Sequence, residues 1–392
     1  MDVSRETSAR SRSSGERAIV DVAVVGGGLA GLVVAAGLET DRTGRGQCDW
    51  LLLEASDRLG GRLCSSREGV DLGGALLTQP EQPTVAALLR RLRVSTFPQP
   101  DDPASARVVD GCYALVDALR AELQIEAPGD VDRRSANFSR LRTSFPIVAC
   151  DFQKLEDGTA TALLTSSCST TICARHVVFA CPPQLITRHI AFEPGLPPGR
   201  WKAMCETHAY LANATTVALI YPERRWPLCA SNVALRQGEG RPAFKAYDGT
   251  NAWLTSAALT FLAIADEQSD TDLAAQCIAQ MNEHWQASGY ASLVAQADLG
   301  SFTRLAVQRW TSSPSWVSDL ESSDESTADA VSGAACERPR PCAVLSAGPE
   351  WGGVLHYCGS ETHDSHTGLI EGAICSATRV LEEDLLPLLL AE

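Results

Sequence analysis

The chain has 392 residues, 45% hydrophobic and 21% charged, with a formal net charge of -15. That is enough for two domains that each bury a core, and the acidic balance, relieved only by short clusters such as Arg90, Arg91 and Arg93, disfavours nucleic acid as a partner. No apolar run reaches the roughly 20 residues of a membrane span, Pro387 breaks the C-terminal leucine stretch, and the fourteen cysteines form no Cys-x-x-Cys pair, so a soluble cytoplasmic protein with free thiols is expected.

Residues 1–18 mix Arg and Ser with Asp2, Glu6 and Glu16, which is unlike an acid-poor transit peptide, and are expected to form a disordered tail. The β-branched run Ile19–Val25 has the pattern of a strand buried on both faces of a parallel sheet. Gly26, Gly28 and Gly31 follow at once as G-x-G-x-x-G, and the small apolar stretch 29–38 supplies the helix that such a motif requires. The first glycine turns the chain, the second lets backbone approach a pyrophosphate, and the third permits close helix packing. A second strand, Trp50–Leu53, ends in Glu54, 23 positions after Gly31, where a carboxylate accepts hydrogen bonds from a ribose hydroxyl.

The run Glu54-Ala-Ser-Asp-Arg-Leu-Gly-Gly-Arg, followed by Asp71-Leu-Gly-Gly-Ala, resembles the E-A-x-x-R-x-G-G-R and D-x-G-G signatures of the flavin-containing monoamine oxidase family. Tyr357-Cys-Gly-Ser-Glu-Thr and Gly368-Leu-Ile-Glu-Gly-Ala are similar to that family's G-x-E-T and G-x-x-E-G-A pair. Weaker similarity runs through the segment from Val109, Phe145-Pro-Ile-Val, His176-Val-Val-Phe-Ala-Cys-Pro-Pro and the tryptophans Trp310 and Trp316. The resemblance implies a two-dinucleotide-binding Rossmann-type α/β domain for FAD, with a second, smaller α+β substrate domain. It implies cofactor contacts from Gly26, Gly28, Gly31, Glu54, Arg58, Gly61, Arg62, Gly74 and Glu361, and from backbone at Ile147. Apolar Ile370, Ile374, Ala377 and Leu381 recur at helical spacing, so a helix begins near Gly368, and the resemblance implies that its N-terminal amides, with Leu369 and Ile370, face the flavin.

The nucleotide domain is expected from 19–75, 108–186 and 342–388, and the substrate domain from 76–107 and 187–341. Within the latter, 217–221 and 253–263 read as strands and 271–286 as an amphipathic helix. The Ser/Asp/Glu-rich stretch 317–341 reads as a mobile acidic loop.

Several departures from the family pattern bear on chemistry. The segment from Thr84 to Arg107 is shorter than the relatives' helical insert, Thr216 stands where a flavin-facing lysine is usual, and Leu369 and His366 stand where aromatic residues are common. No cysteine is placed for a thioether to the flavin, so non-covalent FAD is expected. His356, His363 and His366 with Glu361 and Asp364 superficially suggest metal ligands, but Glu361 belongs to a cofactor motif and no metal is expected. His366, Trp310 and Thr216 are the candidate substrate-facing residues, His366 because an imidazole can hold a proton near neutral pH. The expected activity is hydride transfer from a small molecule, an amine by resemblance, to FAD with oxygen as acceptor. A flavin dehydrogenase, desaturase or isomerase acting on a non-amine, and a non-catalytic FAD-binding protein, are the alternatives; the oligomeric state is open.

Overall fold

The computed structural model describes residues 19–39, 48–78, 81–125, 140–211, 213–265, 268–310 and 338–391. The expected tail and nearly all of the expected acidic loop lie outside these residues.

The first sheet contains β1 (Ile19–Val25), β2 (Trp50–Leu53), β6 (Leu141–Arg142), β7 (Ile147–Lys154), β8 (Ala160–Ser166), β9 (Thr171–Phe179), β10 (Ala191–Glu193) and β16 (Leu355–Tyr357). β1 runs parallel to β2 on one side and β9 on the other, β2 is parallel to β6, and β16 is parallel to the end of β9. β7, β8 and β9 form an antiparallel meander, with β10 parallel to β7. The parallel centre explains why β2 and, apart from Asp21 near its start, β1 are apolar, since both of their faces are covered.

On one face lie α1 (Leu29–Glu39), α2 (Pro83–Leu92), α3 (Ala114–Glu122) and the helix Ile370–Arg379, sharing a core around Val22, Leu52, Val34, Leu115 and Ala377. On the other, α4 (Pro183–His189) and α5 (Pro198–Glu206) supply Ile186 and Met204 to a second core with Ala23, Val177 and Phe179. This is the expected Rossmann-type arrangement.

The second sheet has the order β12 (Val233–Ala234), β13 (Ala243–Asp248), β14 (Ala257–Ile264), β11 (Ala214–Tyr221) and β15 (Arg304–Arg309), with antiparallel pairs throughout. α6 (Asp270–Ala287) packs Leu273, Cys277, Met281 and Trp285 against one face of it, as the periodicity of 271–286 predicts. A small third sheet joins β3 (Leu77–Thr78), β4 (Thr96–Gln99) and β5 (Asp102–Val108).

The strand expected over 253–263 begins only at Ala257, because the Asn251 side chain exchanges hydrogen bonds with Thr255 (2.9 and 3.1 Å) and organises a turn that leaves Trp253 and Leu254 exposed. The segment 76–107, expected in the substrate domain, sends α2 back to the nucleotide-side core. There the Glu371 carboxylate accepts hydrogen bonds from the first-turn amides of Thr84 (2.9 Å) and Val85 (2.8 Å), and Val85, Leu88 and Leu89 are buried. β10 likewise continues the first sheet beyond residue 186.

Candidate active site

A cleft of about 1850 Å³ opens at the C-terminal ends of the parallel strands, where Gly26 follows β1, Glu54 follows β2, Ala180 and Cys181 follow β9 and Gly359 lies just beyond β16. Ligands of open α/β sheets bind at this end of the strands. Its volume exceeds the roughly 300–1,000 Å³ of an ordinary small-molecule pocket, leaving room for a dinucleotide and a substrate together.

Two glycine loops form the floor. Gly60 donates to the Gly27 carbonyl (2.9 Å) and pairs with Gly28 in an isolated bridge. A Cβ on Gly61 would stand 3.3 Å from the Gly28 Cα, so both loops present bare backbone at the cleft. This is a cradle suited to a pyrophosphate. Gly31 does not line the cleft; it lies beneath it, where an added Cβ would come within 2.0 Å of the Gly26 carbonyl oxygen, and so lets α1 seat on the turn.

Glu54 is buried at the end of β2, and its carboxylate accepts from the Gly27 amide (2.6 Å), the Ser56 amide (2.8 Å) and the Ser56 hydroxyl (2.6 Å). Arg58 braces the second glycine loop by donating to the carbonyls of Leu59, Gly61 and Leu63. Arg62, an expected cofactor contact, forms a two-pronged ion pair with Glu361 (2.7 and 3.0 Å) and also donates to the Ser360 hydroxyl. Burial works to raise the Glu361 carboxyl, and the Arg62 guanidinium more than offsets it, holding the group below the ordinary carboxylate range. Arg62 and Glu361 thus lock the early and late halves of the nucleotide domain together beside the cleft.

Thr216, Trp310, His366, Leu369, Ile370 and Gly74 all line the same cleft. Thr216 projects from β11, with Trp310 just beyond the end of β15, where its amide donates to the Ala214 carbonyl. The His366 amide donates to His363 Nδ1 (3.1 Å), which fixes the loop, while His366 Nδ1 is buried and has no hydrogen-bond partner among the described residues. Burial first, then the neighbouring His366, lowers the His363 imidazole. Leu369 immediately precedes the helix Ile370–Arg379. The Ile147 side chain is packed in the core of the first sheet and does not line the cleft. His356 is likewise remote, with its Nε2 against the Gly353 carbonyl, and among the described residues no three metal-ligating side chains converge.

Sequence reading missed Lys245, Tyr247 and Leu262 on the sheet wall and His208 and Tyr210 before β11. It also left the role of Asp71 unread: its carboxylate accepts from the Cys112 amide (2.6 Å) and the Ser65 hydroxyl (2.9 Å), so it staples the second glycine loop from below. Burial outweighs these hydrogen bonds and nearby Arg107, and pushes the Asp71 carboxyl up to about 6.

Residues 24–92 match an NAD(P)-binding Rossmann-like domain model, and residues 148–380, more than half of the chain, match the model of flavin containing amine oxidoreductases. The chain belongs to the flavin containing amine oxidoreductase family. AofH of Mycobacterium tuberculosis, named as a flavin-containing monoamine oxidase, is 34% identical over 133 residues, or 33% of this chain and 28% of AofH. The chain therefore aligns with less than a third of that relative's length.

A solved structure of putrescine oxidase bound to putrescine superposes with a TM-score of 0.67 at 15% identity, covering 93% of this chain and 99% of the other. Cyclohexylamine oxidase from Brevibacterium oxydans IH-35A gives 0.65 at 15% identity, covering 94% and 99%. These likenesses establish the fold, and family membership establishes a flavin as the cofactor type. Among the described residues no helix is long and apolar enough to cross a membrane.

Proposed function

We propose that this protein binds FAD non-covalently and oxidises a small-molecule amine. The observation that carries the reading is the single cleft in which the glycine cradle, Glu54 and the Arg62–Glu361 pair meet a substrate wall formed by Thr216, Trp310 and His366. Bound FAD would supply the hydride acceptor, with oxygen taking up the electrons afterwards.

The chain's own groups do the rest. Backbone at Gly26, Gly28 and Gly61 leaves space for the pyrophosphate, and Glu54 offers its remaining acceptor capacity to a ribose hydroxyl. The N-terminal end of the helix Ile370–Arg379 faces the cleft and favours negative charge there. The His366 imidazole, which lines the cleft, takes the proton that an ammonium substrate must lose before its C–H bond can be oxidised. Trp310 and Leu369 provide apolar contact, and the free thiols of the described cysteines accord with a cytoplasmic setting.

Thr216 favours a second reading, an amine dehydrogenase that reacts slowly with oxygen, because a neutral side chain stands where the family resemblance implies a lysine. The test is anaerobic mixing of the purified yellow protein with a panel of amines, then admission of air. Bleaching by an amine supports the reading, and slow recovery of colour in air selects the dehydrogenase. Simple arylalkyl amines such as benzylamine and tyramine should bleach poorly, given Leu369 and the shortened segment before Arg107. A flavin that no amine reduces contradicts the proposal.

A further inference from the structure

The substrate wall carries a charge that the amine reading leaves unused. On the face of the second sheet turned away from α6, Gln308, Thr216, Leu262 and Lys245 stand in register across β15, β11, β14 and β13. Thr216, Leu262 and Lys245 all line the cleft. A register shift between Ala243 and Lys245 bulges β13 at Phe244, and Phe244 and Lys245 consecutively reach the cleft where an unbroken strand would alternate.

Lys245 is half-buried, with no acidic partner and no hydrogen bond among the described residues. The other cation on this face, Arg304, is paired with Glu68. The remaining lysines, Lys154 and Lys202, are exposed on the exterior, and Lys202 is paired with Glu206. The carboxylates lining the cleft are mostly committed elsewhere: Glu54 to Gly27 and Ser56, Glu361 to Arg62, and Asp102 to Ala104 and Ser105. Glu81, the fourth, is exposed on the loop before α2. A flexible lysine can carry its head to water along an apolar stem, but here the bulge turns the stem inward, between Leu262 and the buried Tyr247.

We infer that Lys245 is the specificity-determining cation of the cleft and that the substrate is an amine bearing a carboxylate at its far end. A half-buried ammonium without a counter-charge keeps its desolvation cost until an anion completes the pair, and a ligand carboxylate removes that cost on binding. Lys245 stands two inter-strand spacings, about 10 Å, from Thr216, which places the carboxylate several bonds from the amine. This assignment rests on the amine reading for the reacting end alone; the anion site stands on the sheet geometry.

Two arms keep these apart. In the first, the flavin-loaded protein is titrated with pentanoate and with its neutral isostere pentanamide, following the flavin absorption spectrum and the binding heat. Pentanoate should bind about tenfold tighter, Lys245→Met should abolish the difference without altering thermal stability, and Lys245→Arg should retain part of it. In the second, anaerobic bleaching by aminoalkanoates from 3-aminopropanoate to 6-aminohexanoate is compared with the unbranched amine of each length. An aminoalkanoate should bleach at lower concentration than its matched amine in the natural protein and lose that advantage in Lys245→Met. If no amine bleaches while pentanoate binding still depends on Lys245, the amine reading fails and the anion site survives. Equal binding of pentanoate and pentanamide to the natural protein overturns the inference. So does a preference that survives Lys245→Met, even if that variant reacts more slowly with oxygen.

Discussion

The nucleotide end of the cleft and its sheet wall are built on opposite rules. At the nucleotide end the charged groups are closed on one another: Glu54 holds three protein donors, Arg62 forks onto Glu361, and Asp71 ties the loop to Cys112. On the wall, Lys245 has no partner among the described residues, and the His366 imidazole lines the rim. The first arrangement fixes a shape before anything binds, at the expense of adaptability. The second keeps polar capacity in reserve for a substrate. The contrast assigns rigidity to the cofactor end and selectivity to the wall.

Disrupting the rigid end should have the largest effects. Gly31→Val drives a side chain into the Gly26 carbonyl and should cost at least about 3 kcal/mol, the upper range for overpacking, giving insoluble or colourless protein; thermal melting and flavin content measure it. Asp71 sharpens the contrast through pH. Its folded carboxyl is raised from 3.8 to about 6, so its contribution is fully present below pH 3.8 and is lost as pH rises through 6. The lost amount is about 3 kcal/mol, and Asp71→Asn, which keeps the acceptor for the Cys112 amide, should flatten that part of the stability profile measured by denaturant titration.

Arg62→Met should cost about 2 kcal/mol, low for a buried pair because Arg62 is itself 35% exposed. Its pH signature is opposite in sign. The Glu361 carboxyl lies below its ordinary 4.5 when folded, so the stabilisation holds above that pH and is lost as pH falls through the folded value. The variant should lose that acid limb in the same titrations.

The nucleotide end was legible because its chemistry is local. Gly26, Gly28 and Gly31 fall within six residues and Glu54 ends the next strand of the parallel unit, so spacing carries that geometry, while Arg58 and Arg62, within the following loop, came by resemblance. The wall was not legible in this way. Its row draws Thr216, Leu262, Lys245 and Gln308 from four strands whose order in space differs from their order in sequence, and a bulge sets the direction of Lys245. Thr216 was found only by resemblance. Ile147 was also carried over by resemblance, and the fold buries its side chain in the core of the first sheet.

Smaller effects probe the boundary between the two regions. Glu54→Ala should weaken FAD binding by about 2 kcal/mol, the scale of a hydrogen bond to a charged group, and leave the Gly27 amide unpaired, as equilibrium dialysis against FAD would measure. Thr216→Ala, on the wall, should change FAD affinity and melting by less than about 0.5 kcal/mol, since no protein hydrogen bond is lost.

The flavin content of the purified protein tests the central claim most directly. FAD should be present at one per chain and be released intact by heat or acid, identified by chromatography of the supernatant. Colourless protein that takes up no added FAD, or a flavin that stays with the denatured chain, would contradict a preformed non-covalent FAD site between Gly26, Glu54 and Arg62.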